Sequence, residues 1–185
     1  MFLVGAWLRQ LDWMLFIIVL LLMAVGFSAI YSVDLSRGQE LTFVPVQMIA
    51  FFIGLTVCVI AARTHLNVYR LNAQWVYILG LLLLIGVLFF GVSIRGTRGW
   101  FRVAGFSFQP AEFAKVALVL GLGWLISRYG RRFDTFRFVV ASGLFVALPV
   151  LLILLQPDLG SALVLSGVWA GFLLTTGVKK RYLLA

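Results

Sequence analysis

Long apolar runs separated by short polar breaks dominate the sequence. A helix that crosses the roughly 30 Å hydrocarbon core of a bilayer needs about 20 residues, at about 1.5 Å per residue. Five runs meet that length directly, and a sixth does so only if Glu112 and Lys115 enter the membrane or lie at its edge. Each run must be helical, because lipid cannot pair with an open backbone. The pattern therefore predicts an all-α polytopic membrane protein with about six transmembrane helices, at about 13–33, 41–62, 71–94, 111–127, 138–156 and 159–178.

Composition excludes a water-soluble globular domain. Hydrophobic residues make up 63% of the chain, charged residues make up 11%, and the mean hydropathy is +1.11. Soluble domains carry about 25% charged residues, so this chain lacks the polar surface that a globule needs in water. No linker or low-complexity tract interrupts residues 1–185, which predicts a single transmembrane domain. The one cysteine, Cys58, allows no internal disulfide.

The positive charge predicts an orientation. With the N-terminus in the cytoplasm, the inner loops hold ten Lys and Arg residues and the outer loops hold four, with Lys115 on the outer half of its span. The positive-inside rule favours this arrangement. Much of the net charge of +9 is thus a topology signal, and it does not indicate a nucleic-acid partner.

The outer segment from Gly96 to Phe113 carries arginines on the side where the positive-inside rule expects few of them. It is a glycine-broken loop in which Arg98 and Arg102 alternate with aromatic residues, among them Trp100. An interfacial loop with aromatic anchors is one interpretation. A functional site is the other, because ionisable groups near the bilayer are costly and usually have a role.

Two helix starts favour the functional interpretation. Pro110 suits the first helical position, and Glu112 in the first turn complements the helix dipole. Lys115, three residues later, shares a face with Glu112 and can pair with it. Gln156-Pro157-Asp158 opens the sixth span much as Gln109-Pro110-Ala111-Glu112 opens the fourth. Two helix N-termini beside cationic side chains would suit a phosphate-bearing lipid, although a self-satisfied ion pair remains the alternative.

In order and spacing, these segments resemble the SEDS family (shape, elongation, division and sporulation), which contains RodA, FtsW and SpoVE. The similarity rests on Asp12-Trp13, Tyr31-Ser32, the 96–100 loop, the run from Phe108 to Lys115, and the run from Gln156 to Gly160. The segments 154–163 and 180–185 are more similar to RodA than to FtsW.

The resemblance implies a peptidoglycan glycosyltransferase of the bacterial cytoplasmic membrane, which polymerises lipid II on the outer face beside a class B penicillin-binding protein. It implies a fold of about ten spans, of which this chain would be the N-terminal part. The expected catalytic base lies beyond Ala185, so no catalytic residue is assigned and the chain alone is expected to be an incomplete enzyme, whether truncated, a fragment or half of a split protein. No metal ligand is assigned either, and a divalent cation is left open. The expected substrate-binding or supporting residues are Arg98, Trp100, Arg102, Gln109, Glu112, Lys115 and Asp158.

Two positions depart from the family pattern. Family members usually have arginine before the loop tryptophan, where this chain has Gly99, so a one-residue shift to Arg98 would have to be absorbed by the loop. Ala111 stands where serine is usual.

Two other functions compete with polymerisation: a lipid II transporter, and a non-catalytic membrane scaffold of the elongation or division machinery. Transport would favour polar residues at the bilayer midplane, which this pattern lacks.

Overall fold

The computed structural model describes residues 12–36, 41–94, 96–103, 106–129 and 135–178, except for the side chains of Val103 and Phe106. The chain divides into two compact units, residues 1–65 and residues 66–185. Among the described residues, the first unit contains two helices, and the second contains four helices and three short strands. In chain order these elements are α1 (Trp13–Ser36), α2 (Phe43–Arg63), α3 (Leu66–Phe90), β1 (Val92–Ile94), β2 (Thr97–Val103), β3 (Phe106–Phe108), α4 (Pro110–Tyr129), α5 (Phe136–Leu154) and α6 (Leu159–Thr175).

In the first unit, Asp34 near the end of α1 caps the start of α2. The first N–H groups of a helix have no partner within that helix. Asp34 is 3% exposed, and its Oδ2 accepts hydrogen bonds of 3.0 Å from the backbone N–H groups of both Phe43 and Val44. The third residue of α2 is Pro45, which has no N–H to satisfy. One carboxylate therefore completes the start of α2 and joins it to α1.

The second unit has a core in which small residues let helices approach closely. A Cβ atom added at Gly80 of α3 would lie 3.1 Å from Ala117 Cβ of α4, and one added at Gly121 of α4 would lie 2.9 Å from the Phe145 ring of α5. The largest fully buried side chains include Leu84, Leu118, Leu122, Ile153 and Leu165, from all four helices. The Trp169 indole of α6 donates a 3.1 Å hydrogen bond to Ser142 Oγ on α5, which links these helices.

Pro149 interrupts the backbone ladder within α5. A proline has no N–H, so the carbonyl four residues earlier, that of Phe145, has no helical partner. Tyr77 of α3 supplies the missing donor: its hydroxyl lies 2.5 Å from the Phe145 carbonyl oxygen. The Tyr77 and Phe145 rings also stack, with centroids 3.8 Å apart. Tyr77 thus satisfies a polar group that lipid could not satisfy, and it joins α3 to α5.

A small antiparallel sheet fills the segment between α3 and α4. Its strand order is β1-β2-β3, with Val92 opposite Trp100 and Arg102 opposite Ser107. Gly96, at the turn into β2, has a φ of +84°, which glycine adopts without steric cost. The Phe101 ring packs near Gly86 of α3, so the sheet lies against that helix.

The structure confirms the all-α fold class with about six apolar helices. Among the described residues, five helices are long and apolar enough to cross a membrane, and α6 is a shorter apolar helix of 17 residues. The expected irregular loop at 96–113 is wrong in part, because much of it forms strands. The third apolar run also ends earlier as a helix than expected, since the chain leaves α3 after Phe90 and continues as β1. Val92 and Ile94 are as apolar as the residues of α3, so the sequence pattern does not reveal where the helix ends.

The Tyr77 bond gives a stability prediction. We expect Tyr77→Phe to lower the free energy of unfolding by about 1–3 kcal/mol, because it leaves the Phe145 carbonyl unpaired. Pro149→Ala restores an N–H at that position, so Tyr77→Phe should cost clearly less in that background. Denaturant unfolding of the four proteins in mixed micelles measures the difference. An equal cost in both backgrounds would contradict this role of Tyr77.

Candidate functional site

Strand β2 divides the predicted loop residues between two faces. Successive side chains of a strand point to opposite faces, so Arg98, Trp100 and Arg102 share one face and Gly99 and Phe101 share the other. Gly99 is buried and Phe101 packs near α3, whereas Arg98 and Arg102 are exposed and Trp100 is half-buried. The strand therefore presents two arginines and a tryptophan on the face away from Gly99 and Phe101.

Arg98 is engaged with the end of α3. Its Nε donates to the Gly91 carbonyl at 3.2 Å, and its Nη2 donates to the Phe89 carbonyl at 3.3 Å. Carbonyl groups at the end of a helix have no partner within it, and a cation there also complements the helix dipole. In this structure Arg98 completes the terminus of α3, so the hydrogen bonds of its guanidinium go to α3 and not to another predicted site residue.

Gly99 lies against Gln156, at the end of α5. Gln156 is 1% exposed, and a Cβ atom added at Gly99 would lie 3.0 Å from its Oε1. Its Nε2 donates to the Leu84 carbonyl at 3.4 Å, while Oε1 has no partner among the described residues. A shift of one residue along a strand moves a side chain to the opposite face. Arg98 therefore does not occupy the place that an arginine at position 99 would have.

The starts of α4 and α6 meet through two predicted site residues. Gln109, which precedes α4, donates from Nε2 to Asp158 Oδ2 at 3.1 Å. Asp158 is the N-cap of α6: its Oδ1 accepts from the Ser161 backbone N–H at 3.0 Å, and its Oδ2 accepts from the Ser161 hydroxyl at 2.7 Å. The two similar helix starts noted in the sequence are thus brought together, and the Asp158 carboxylate has three donors.

Glu112 and Lys115 form the predicted ion pair on the first turn of α4. Lys115 Nζ lies 2.7 Å from Glu112 Oε1, and the Lys115 side chain is 26% exposed while that of Glu112 is 60% exposed. The Glu112 carboxylate is thus largely exposed, and the Lys115 ammonium is more buried. Ala111 beside them is fully buried, so a serine hydroxyl at that position would need a partner in the core.

The arrangement suits an anionic ligand. The Arg102 side chain is exposed and makes no hydrogen bond or ion pair with any residue that the structure describes. Arg102 and Lys115 flank the segment that ends at the start of α4, where the helix dipole also favours negative charge. The described ranges contain no group of three or more His, Cys, Asp or Glu side chains that could hold a metal ion.

Comparison with known proteins decides the family. Residues 10–185 match the profile of the cell cycle protein family of FtsW, RodA and SpoVE. The chain belongs to this family. It is a multi-pass bacterial membrane protein, and the resemblance drawn from its motifs is confirmed.

Individual relatives in the SEDS family are similar to this chain in sequence and in structure. A probable peptidoglycan glycosyltransferase FtsW from Aliivibrio salmonicida is 31% identical over 92% of this chain and 43% of its own length. The crystal structure of the rod shape determining protein RodA of Thermus thermophilus superposes with a TM-score of 0.74, at 32% identity over 94% of this chain and 56% of that one. A chain of a peptidoglycan synthase complex gives a TM-score of 0.77, at 32% identity over 94% and 50%. The chain spans about half the length of these relatives.

Sequence reasoning missed two residues of this candidate site. Ser161 was absent from the predicted set, although its position three residues after Asp158 is a usual one for helix capping. Gln156 was noted only as part of a motif, and its burial against Gly99 depends on how α5 ends beside β2. The first could have been found from local spacing, whereas the second required the tertiary structure.

The Gln109–Asp158 bond predicts an energetic coupling between the starts of α4 and α6. We expect a double-mutant cycle of Gln109→Ala and Asp158→Ala to give a coupling of about 1 kcal/mol in unfolding experiments. The matched control is Val116→Ala with Asp158→Ala. Val116 is an exposed neutral residue of α4, the helix that Gln109 precedes. That pair should couple by less than about 0.5 kcal/mol. Equal coupling in the two cycles would rule out a specific bond.

Proposed function

We propose that this chain forms part of a SEDS peptidoglycan glycosyltransferase that polymerises lipid II. The observation that carries the proposal is the juxtaposition of the α4 and α6 starts, joined by Gln109 and Asp158, with Lys115 on the first turns of α4. Lipid II is a lipid-linked disaccharide whose pyrophosphate needs cationic partners near the membrane surface. The family match supports the same activity, since relatives are named peptidoglycan glycosyltransferases.

Each site residue has a proposed role in binding. Lys115 and Arg102 contact the pyrophosphate, because ionised donors make the stronger hydrogen bonds to phosphate oxygens. Gln109 and Asp158 hold the two helix starts in register, and Trp100 packs beside a sugar or the lipid. Arg98 supports the site indirectly by completing the end of α3. The catalytic base is proposed to lie in the half of the relatives that this chain does not match.

Orientation and partners form part of the same proposal. With the N-terminus in the cytoplasm, β2 and the starts of α4 and α6 lie on the outer side of the cytoplasmic membrane, where lipid II is polymerised. A class B penicillin-binding protein would supply the crosslinking activity, which is supported by a structural neighbour that comes from a peptidoglycan synthase complex. The charged residues lie at helix starts and on the sheet. This placement favours surface chemistry over a transporter, whose binding site would lie near the midplane.

A binding experiment tests the cationic site in this chain itself. We expect the chain in nanodiscs to bind lipid II, and Lys115→Ala to weaken that binding about tenfold, since one charge-assisted hydrogen bond contributes about 1.5 kcal/mol. Lys115→Arg should retain most of the affinity. Titration with fluorescent lipid II measures both, with Val116→Ala as the matched neutral control. An affinity unaffected by Lys115→Ala would remove Lys115 from the site.

An activity experiment tests the reaction. In a full-length family member supplied with a class B penicillin-binding protein, we expect alanine at the positions equivalent to Lys115 and Asp158 to reduce glycan polymer formation at least tenfold. Alanine at the position equivalent to Val116 should leave it unchanged. Gel analysis of polymers made from labelled lipid II gives the measurement, with helicity by circular dichroism as the folding check. Full activity in folded variants would favour the scaffold function for these residues.

A further inference from the structure

A recess lies at the far end of α4. It is an open groove of about 1230 Å³ between the end of α4 and the first half of α5. Arg128, on its rim, is 18 residues along α4 from Pro110, which corresponds to about 27 Å of helix. The groove is therefore separate from the candidate lipid II site, at the opposite end of the helix that carries Lys115.

The rim of the groove is cationic. Arg128 and Arg137 both line it and are exposed, and neither pairs with a carboxylate in the described part of the chain. The Arg128 guanidinium lies 5.2 Å from the centre of the Trp124 ring, a cation–π contact that restrains it at the rim. Two cations from different helices thus face one recess, and the residues that the structure describes supply neither with a carboxylate partner.

The wall of the groove is apolar. Phe136, Val140 and Leu144 recur every four residues on one face of α5, with exposed fractions of 52%, 44% and 66%. This stripe extends for about 12 Å along the helix. One leaflet of a bilayer contributes about 15 Å of hydrocarbon, half of the total core. The wall therefore matches the depth of a single leaflet, with the two arginines at its polar end.

We propose that this groove binds an anionic phospholipid of the bilayer. The phosphate lies between Arg128 and Arg137, and one acyl chain lies along Val140 and Leu144. A lipid with net negative charge is favoured over a zwitterionic one, because the amine of the latter offsets the charge that the arginines attract. Lipid also fits this wall better than an extended acidic polypeptide segment, whose backbone groups could not be satisfied at hydrocarbon depth.

Native mass spectrometry of the chain released from vesicles of phosphatidylglycerol and phosphatidylethanolamine tests this site. Each arginine near an anionic lipid strengthens binding about fivefold, so we expect R128Q and R137Q each to reduce retained phosphatidylglycerol by about that factor. The matched control is R70Q, which removes an exposed arginine from the first turns of α3 and should change retention little.

A steric variant separates the groove from surface charge. Ala141 lines the recess, and Ala141→Phe narrows it without changing any charge. We expect this variant to lose retained phosphatidylglycerol while its circular dichroism stays the same. Unchanged retention in the folded R128Q/R137Q double variant, or an equal loss in R70Q, would overturn the proposal. Unchanged retention together with binding of an acidic peptide would assign the groove to a protein partner.

Discussion

In hydrocarbon, every backbone N–H and carbonyl must find a partner within the protein, and this constraint explains where the polar side chains of the chain lie. Pro149 removes a donor inside α5, and Tyr77 replaces it from α3. Asp34 serves the first N–H groups of α2, and Arg98 serves the last carbonyls of α3. Asp158 does the same at the start of α6. These polar side chains are thus placed where helices begin, end or break.

This constraint shapes the candidate site as well. Asp158 caps α6 and also accepts the Gln109 amide from the start of α4, so one carboxylate sets the position of both helix starts. The hydrogen bonds from Gln109 and Ser161 hold the Asp158 side chain in one rotamer before any ligand binds. Preorganised groups lose little on binding, which suits a site that must orient a flexible lipid-linked sugar. In the proposed enzyme, structural and functional demands on Asp158 therefore coincide.

The sequence was sufficient wherever a signal is local. Run length indicated the helices, and the three-residue spacing of Glu112 and Lys115 predicted their ion pair. The Gln109–Asp158 contact joins residues 49 apart, so it depends on how α4 and α6 pack side by side. The sheet escaped detection because its apolar and aromatic residues continue the composition of the neighbouring helices. Because residues 98–99 lie in the strand β2, their side chains point to opposite faces. Arg98 therefore cannot take the place of an arginine at position 99.

The cations of the site differ in how readily they can take up a new anion. Arg98 is bonded to the end of α3, and Arg102 has no partner among the described residues. Lys115 is paired with Glu112, whose carboxylate is mostly exposed. The carboxylate is mostly hydrated already, so it loses little when it leaves the pair, whereas the more enclosed ammonium gains more from a nearby counter-charge. In the proposed enzyme, a pyrophosphate would replace Glu112 at Lys115, so the ion pair would keep the ammonium available for the substrate.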